Sequence, residues 1–176
     1  MRLLPVLTVV IASLLSVACS NPVPPAGVTV VSPFESQRFL GTWYEIARFD
    51  HHFESGLEKV TATYSLRGDG GIDVVNKGYN SERGIWQKTD GVAWFTGDPN
   101  RAALKISFFG PFYGGYNVIA LDKEYRHALV CGPDRDYLWL LARTPKISPQ
   151  VKQQMLDIAT RQGFDVSKLI WVNQRY

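Results

Sequence analysis

The sequence predicts an all-β domain in which eight antiparallel strands close into an up-and-down barrel, with one C-terminal α-helix packed outside and a short extra strand. Three observations predict it. Short runs of β-branched and aromatic residues recur between Gly, Asp and Asn turns. The turn signals are well formed, notably Gly68-Asp69-Gly70-Gly71, Gly97-Asp98-Pro99-Asn100 and Asp122-Lys123-Glu124. A single stretch near the C-terminus carries helical spacing of apolar residues. Eight meandering strands of this length make a barrel with room for one small ligand.

The elements follow in chain order. Met1-Arg2 precedes an apolar stretch from Leu3 to Val17 that ends in small residues before Cys19, the pattern of a charged start, an apolar core and a cleavage site. It is shorter than the ~20 apolar residues of a spanning helix. Ser16-Val17-Ala18-Cys19 resembles the lipobox of bacterial lipoproteins, so residues 1–18 are expected to be a signal peptide and Cys19 the lipid-attachment site. Each buried acyl methylene contributes about 0.8 kcal/mol, and three chains would hold the protein almost irreversibly. Ser20 after the Cys resembles the pattern sorted to the outer membrane. The expected location is the periplasmic face of the cell outer membrane. Residues 19–33, with Pro22, Pro24 and Pro25, read as a stiffened tether. The remainder, 34–176, suits one domain with a core of its own.

Strands are expected at Thr42 to Phe49, Lys59 to Leu66, Ile72 to Tyr79, Ile85 to Thr96, Ala102 to Phe108, Tyr116 to Leu121, His127 to Cys131 and Tyr137 to Arg143. Ser148 is placed to cap a helix with Pro149 at its first position. Val151, Met155, Ile158 and Ala159 share one helical face, and Gly163 ends the run. That stripe would pack on the outside of the barrel. Leu169-Ile170-Trp171-Val172 reads as the extra strand.

Composition excludes several function classes. The chain carries a net charge of +3, with its cations scattered among the acids, and no basic stripe points to nucleic acid. Acylation of Cys19 would leave Cys131 as a lone thiol without a disulfide partner. His127 and Cys131 lie four residues apart in a strand, roughly 13 Å, too far for a Cys–His catalytic pair. His51-His52 point to opposite faces if extended, and no third ligand stands nearby, so neither a metal nor any other cofactor is expected.

The Gly41-Thr42-Trp43 start and the late Arg143 lie far apart in sequence, yet a closed sheet would let the Arg143 guanidinium rest on the Trp43 indole. A shielded cation–π contact of this kind is worth about 1 to 2 kcal/mol. It would plug one end of the barrel. Together with Asp122 to Tyr125, these residues resemble the three signature segments of the lipocalins, and in particular of the bacterial outer-membrane lipoprotein lipocalins and the related apolipoprotein D. The likeness covers the chain from about Phe34 onward. It implies that Gly41, Trp43, Asp122, Tyr125 and Arg143 form a closed-end structural motif, and that Trp139 matches a pocket-lining tryptophan.

With Trp43 and Arg143 inward, alternation turns Tyr137, Trp139 and Leu141 to the lumen. Leu104, Ile106 and Phe108 are expected inward because Lys105 and Ser107 between them prefer water, and Tyr116, Val118 and Ala120 inward because Asn117 does. Tyr64 and Ala62 alternate with threonines and a serine. Strict alternation turns Glu45 inward as well, whereas a bend in the strand would expose it. Periodicity does not distinguish a filled barrel from a hollow one. The resemblance implies a cavity.

Two segments should border the open mouth. Residues 50–57, with Phe53, form a connection long enough to act as a lid, and residues 109–115, with Phe112 and Tyr113, set aromatics on a Gly/Pro backbone as a greasy lip. The lip suits lipid uptake or a protein partner, and a homodimer through it is one such use. No catalytic constellation competes, so an enzyme is not expected. The expected function is that of a membrane-anchored protein storing or transporting fatty acids or lysophospholipids for maintenance of the cell envelope. The alternative is a structural or protein-docking lipoprotein with a filled barrel.

Overall fold

Alternating apolar and polar residues, interrupted by Gly- and Asp-rich turns, build nine strands: β1 (Gly41–Phe49), β2 (Leu57–Leu66), β3 (Ile72–Asn80), β4 (Ile85–Phe95), β5 (Ala103–Phe109), β6 (Phe112–Leu121), β7 (His127–Cys131), β8 (Leu138–Ala142) and β9 (Leu169–Trp171). The computed structural model describes residues 21–176, so the expected signal peptide and Cys19 lie outside the described residues. The first eight strands follow one another antiparallel around a ring that β1 closes by pairing with both β8 and β2. Trp43 stands opposite Ala62 on one side, and Glu45 opposite Leu141 on the other. Closure leaves the ring without an edge strand to template aggregation. β9 adds antiparallel to the far half of β1, with Ile170 opposite Arg48. The expected eight-stranded barrel with an outer helix and one extra strand is therefore present.

Two apolar clusters divide the molecule. Trp43, Tyr64, Val74, Leu104, Val118 and Leu141 belong to the cluster inside the barrel. Ile46, Phe49, Leu129, Leu138 and Leu140 belong to the second, between the outer wall and helix α2 (Pro149–Arg161). The Ser148 hydroxyl accepts from the Val151 amide at 3.1 Å, a cap worth about 1 kcal/mol. Met155 and Ala159 are the buried residues of its stripe. Full burial of Met155 contributes about 1.5–3 kcal/mol. Gly163, in the left-handed region with φ +88°, carries the chain out of the helix.

The structure departs from the sequence reading in six places. A four-residue helix α1 (Ser36–Phe39), which no periodicity signals in so short a run, lies ahead of β1. Residues 109–115 are not a loop: β5 and β6 continue toward each other until Phe109 pairs with Phe112 across Gly110 and Pro111. Gly114 and Gly115 sit inside a strand, and a Cβ at Gly115 would lie 3.2 Å from Pro133 Cα, so this glycine marks a close approach and not a turn. Tyr137 and Arg143 fall just outside β8. Ala120 packs in the outer cluster because the register of β6 against β7 shifts between Val118 and Ala120. Asn117 faces away from the lumen as expected, but it is buried and donates to the Gly132 carbonyl at 3.2 Å. The stretch read as a tether is partly bound to the barrel, for Val31 bonds through its backbone to both Val118 and Ala102.

Candidate functional site

One end of the barrel is shut. Helix α1 lies across it and sets the Phe39 ring 4.8 Å from Trp43 and 5.4 Å from Tyr64. The Trp43 indole, fully buried, donates to the Phe39 carbonyl at 2.8 Å. The Arg143 guanidinium carbon stands 3.9 Å from the Trp43 ring centroid. Its nitrogens donate to the carbonyls of Tyr125, Thr42 and Arg38 at 3.2, 3.1 and 2.9 Å, tying β1, α1 and the β6–β7 turn together. Gly41 fits twice over: its φ is +96°, and a Cβ there would lie 3.3 Å from Arg143 Nη1. Asp122 builds the turn by accepting from the Arg126 and His127 amides at 2.6 and 2.9 Å. Partial burial works to raise its pKa, but these bonds hold its carboxyl below the ordinary range. Tyr125 caps the assembly by accepting from the Glu35 amide at 2.9 Å.

Above the plug lies an apolar cavity. Phe34, Phe39, Ile72, Ala93, Leu104 and Ile106 line it together with Tyr64, Tyr116 and Val118. It is small, with a volume of about 20 Å³. Tyr64 and Tyr116 join hydroxyls across it at 2.7 Å, and burial pushes both phenols well above their ordinary pKa. Leu141 belongs to the same cluster, and Phe108 and Trp139 pack against it. Phe108 crosses the wall beside Gly91, where a Cβ would come within 2.7 Å of its ring. Of the adjacent pair Trp94 and Phe95, Phe95 packs on the interior cluster. Tyr137 precedes β8 and stands at the rim, stacked between His51 at 4.1 Å and Trp139 at 6.2 Å, centroid to centroid.

The mouth is charged, which the alternation pattern did not foresee for Arg48. A register shift between Glu45 and Ala47 breaks the period of β1, so Ile46, Ala47 and Phe49 all pack in the outer cluster while Glu45 and Arg48 meet on the other face. Arg48 is 1% exposed. It donates to Glu45 Oε1 at 2.9 Å, Asp50 Oδ1 at 3.1 Å and the Glu54 carbonyl at 2.8 Å. Glu54 returns from the β1–β2 loop to accept from Trp139 Nε1 at 3.0 Å. Its carboxylate is only 4.0 Å from Arg48 Nε, a weaker pairing than that of Glu45. Burial raises Glu45 to about 7 against the pull of Arg48, and burial with the neighbouring Glu45 charge raises Glu54 to about 8. The loop is also held at its rim, where His51 Nε2 lies 2.8 Å from the Asp136 carbonyl. Phe53, 57% exposed, projects outward from it.

The interior is thus apolar below and charged above, with the β1–β2 loop closed over it. The one cysteine among the described residues is not poised as a nucleophile. Cys131 is fully buried in the outer cluster, burial pushes its thiol up to about 12, and His127 is engaged with Asp122 at 3.0 Å instead. Arg48 and Glu54 are the residues the sequence reading missed. Arg48 gave no periodic signal because the bulge that aims it is invisible in the pattern, while Glu54 sat unremarked in a segment already read as a lid.

Comparison with known proteins accords with this geometry. The family model described as a lipocalin-like domain matches residues 34–174. The chain is 74% identical over 174 residues to the outer membrane lipoprotein Blc of Citrobacter freundii, covering 99% of this chain and 98% of that one. It is 32% identical over 162 residues to apolipoprotein D of Mus musculus, covering 87% and 82% of the two chains. Among solved structures, insecticyanin of the tobacco hornworm superposes with a TM-score of 0.69 at 20% identity over 87% of each chain.

Proposed function

The chain belongs to the lipocalin family, and on that premise we propose that it is an outer-membrane lipoprotein, anchored through acylated Cys19, whose barrel takes up fatty acids or lysophospholipids for upkeep of the cell envelope. The observation that carries this reading is the layering of the interior. An apolar cavity between Phe39 and Tyr116 lies beneath the buried Glu45–Arg48–Glu54 cluster, which matches a single acyl chain with a polar head. Ligand sites commonly run to 300–1,000 Å³. A cavity of about 20 Å³ therefore takes a long chain only if the β1–β2 loop and the rings beneath it move aside.

Energetics favour exchange over storage. Burying a ~16-carbon chain releases about 0.8 kcal/mol per methylene from water, yet close to nothing when the lipid leaves a bilayer. A membrane-held barrel of this kind collects single-chain lipids and hands them on. It acts as a binding protein and performs no chemistry on them.

The narrowness of the cavity favours a second reading, a filled barrel whose rim docks another protein. Displacement of an apolar fluorescent probe from residues 21–176 separates the two. Saturable displacement by a fatty acid or a lysophospholipid at micromolar concentration supports the lipid reading. Failure of the probe to bind, with no response to either lipid, selects the filled barrel.

A further inference from the structure

Resting on the reading that Cys19 is acylated, we propose that the outer face of the β5–β6 hairpin lies on the phospholipid bilayer holding that anchor, with Phe109, Phe112 and Tyr113 entering the headgroup layer. Phe109 and Phe112 are each 77% exposed and Tyr113 46%, on a tip whose pairing fixes them side by side. Exposing three aromatics together is costly in water. Aromatic rings with one polar end are favoured at the membrane interface.

The path of the chain selects the bilayer as the occupant. Asn21 is held on this same face: its Oδ1 accepts from Lys105 Nζ at 2.9 Å, and its Nδ2 donates to the Thr96 carbonyl at 3.3 Å. Lys105 Nζ in turn lies 4.9 Å from the Tyr113 ring centroid. Cys19 is two residues from Asn21, at most about 7 Å of chain. Lys105 stands opposite Gly115, and Phe112 lies three residues before it, roughly 10 Å along β6. Anchor and aromatic tip thus address one surface from one side of the barrel. Lys105 adds a cation to that side that suits lipid phosphate.

Trp171, another exposed aromatic, shows the contrast. It lies on β9 beside β1, across the ring from β5, and Lys152 covers its ring at 3.9 Å. The β5–β6 tip and the β1–β2 loop are at the same end of the barrel, since each joins an odd strand to the next even one. A barrel resting on this hairpin therefore keeps its mouth beside the membrane, where a lipid has the shortest path to it.

The test uses the full acylated chain in phosphatidylethanolamine and phosphatidylglycerol vesicles containing a headgroup-proximal spin-labelled lipid. An environment-sensitive fluorophore is placed through Phe112→Cys and, as the control on α2, through Gln150→Cys. Cys131 is buried and does not compete for the label. Quenching at position 112 at least about two-fold that at 150 is expected for an interfacial ring. Equal quenching overturns the proposal, as does a spectral shift at 112 that follows protein concentration and not lipid, which would mark contact with a second copy. Co-sedimentation with the vesicles, compared with Cys19→Ser, separates the premise. A native chain that fails to sediment removes the anchor and the docking with it, whereas one that sediments with position 112 unquenched removes the docking alone.

Discussion

Glu54 Oε1 accepts a hydrogen bond from Trp139 Nε1 at 3.0 Å, so a carboxyl carried on the loop over the mouth is fastened to the wall of the lumen. The bond couples closure to pH. Glu54 is raised to about 8 and Glu45 to about 7, both chiefly by burial. The folded state therefore binds more protons than the unfolded chain, in which a glutamate titrates near 4.5. Stability from these groups is fully present below that value and is lost as pH rises through about 7 to 8. Thermal unfolding from pH 5 to pH 9 should show a falling midpoint, with a shallower fall in Glu54→Gln. Identical slopes in the two proteins would remove Glu54 as a cause.

Arg48 is the cation that makes the buried cluster tolerable. Arg48→Met would leave Glu45 without its partner, and breaking such a pair costs about 3–5 kcal/mol. The loss should be largest at pH 8 and smaller at pH 5, where Glu45 is protonated without help. Urea unfolding at the two pH values measures the difference, and a loss independent of pH would contradict the pairing.

The barrel was legible because its strands alternate cleanly and their turns carry Gly and Asp, and α2 because Ser148, Pro149 and Gly163 bracket a regular stripe. The contact of Trp43 with Arg143 could be read from the two ends of the chain once closure was assumed. The mouth was harder. A bulge after Glu45 shifts the period by one and sends Arg48 inward, and nothing in Ile46-Ala47-Arg48-Phe49 announces it. The hairpin at Phe109–Phe112 was hidden for the opposite reason: Gly115, which makes room for Pro133, adds to Gly110, Pro111 and Gly114 and imitates a loop.

At the closed end, Arg143 satisfies three carbonyls besides covering Trp43. Arg143→Lys keeps the charge but cannot reach all three with one ammonium. The expected cost is about 2–4 kcal/mol from lost charge-assisted bonds and the weakened cation–π contact. A change below about 0.5 kcal/mol in chemical denaturation, the range of ordinary surface substitutions, would show the plug to be dispensable.

Gly91 makes room for Phe108 across the lumen wall. Gly91→Ala places a methyl 2.7 Å from the ring and 2.8 Å from the Ser107 carbonyl, so the ring must turn into the cavity or the strand must shift. Overpacking of this kind costs about 1–3 kcal/mol. Weakened lipid binding should accompany it, measured by probe displacement. Unchanged affinity would place the ligand away from Phe108.

The most direct test of a lipid-holding lumen is quenching of tryptophan fluorescence in residues 21–176 by a brominated fatty acid, in the native sequence and in Trp139→Phe. A ligand lying beneath the Glu54–Trp139 contact predicts saturable quenching in the native protein and a clear loss of that quenching in the variant. Quenching that never saturates, or that survives Trp139→Phe unchanged, would contradict binding inside the barrel.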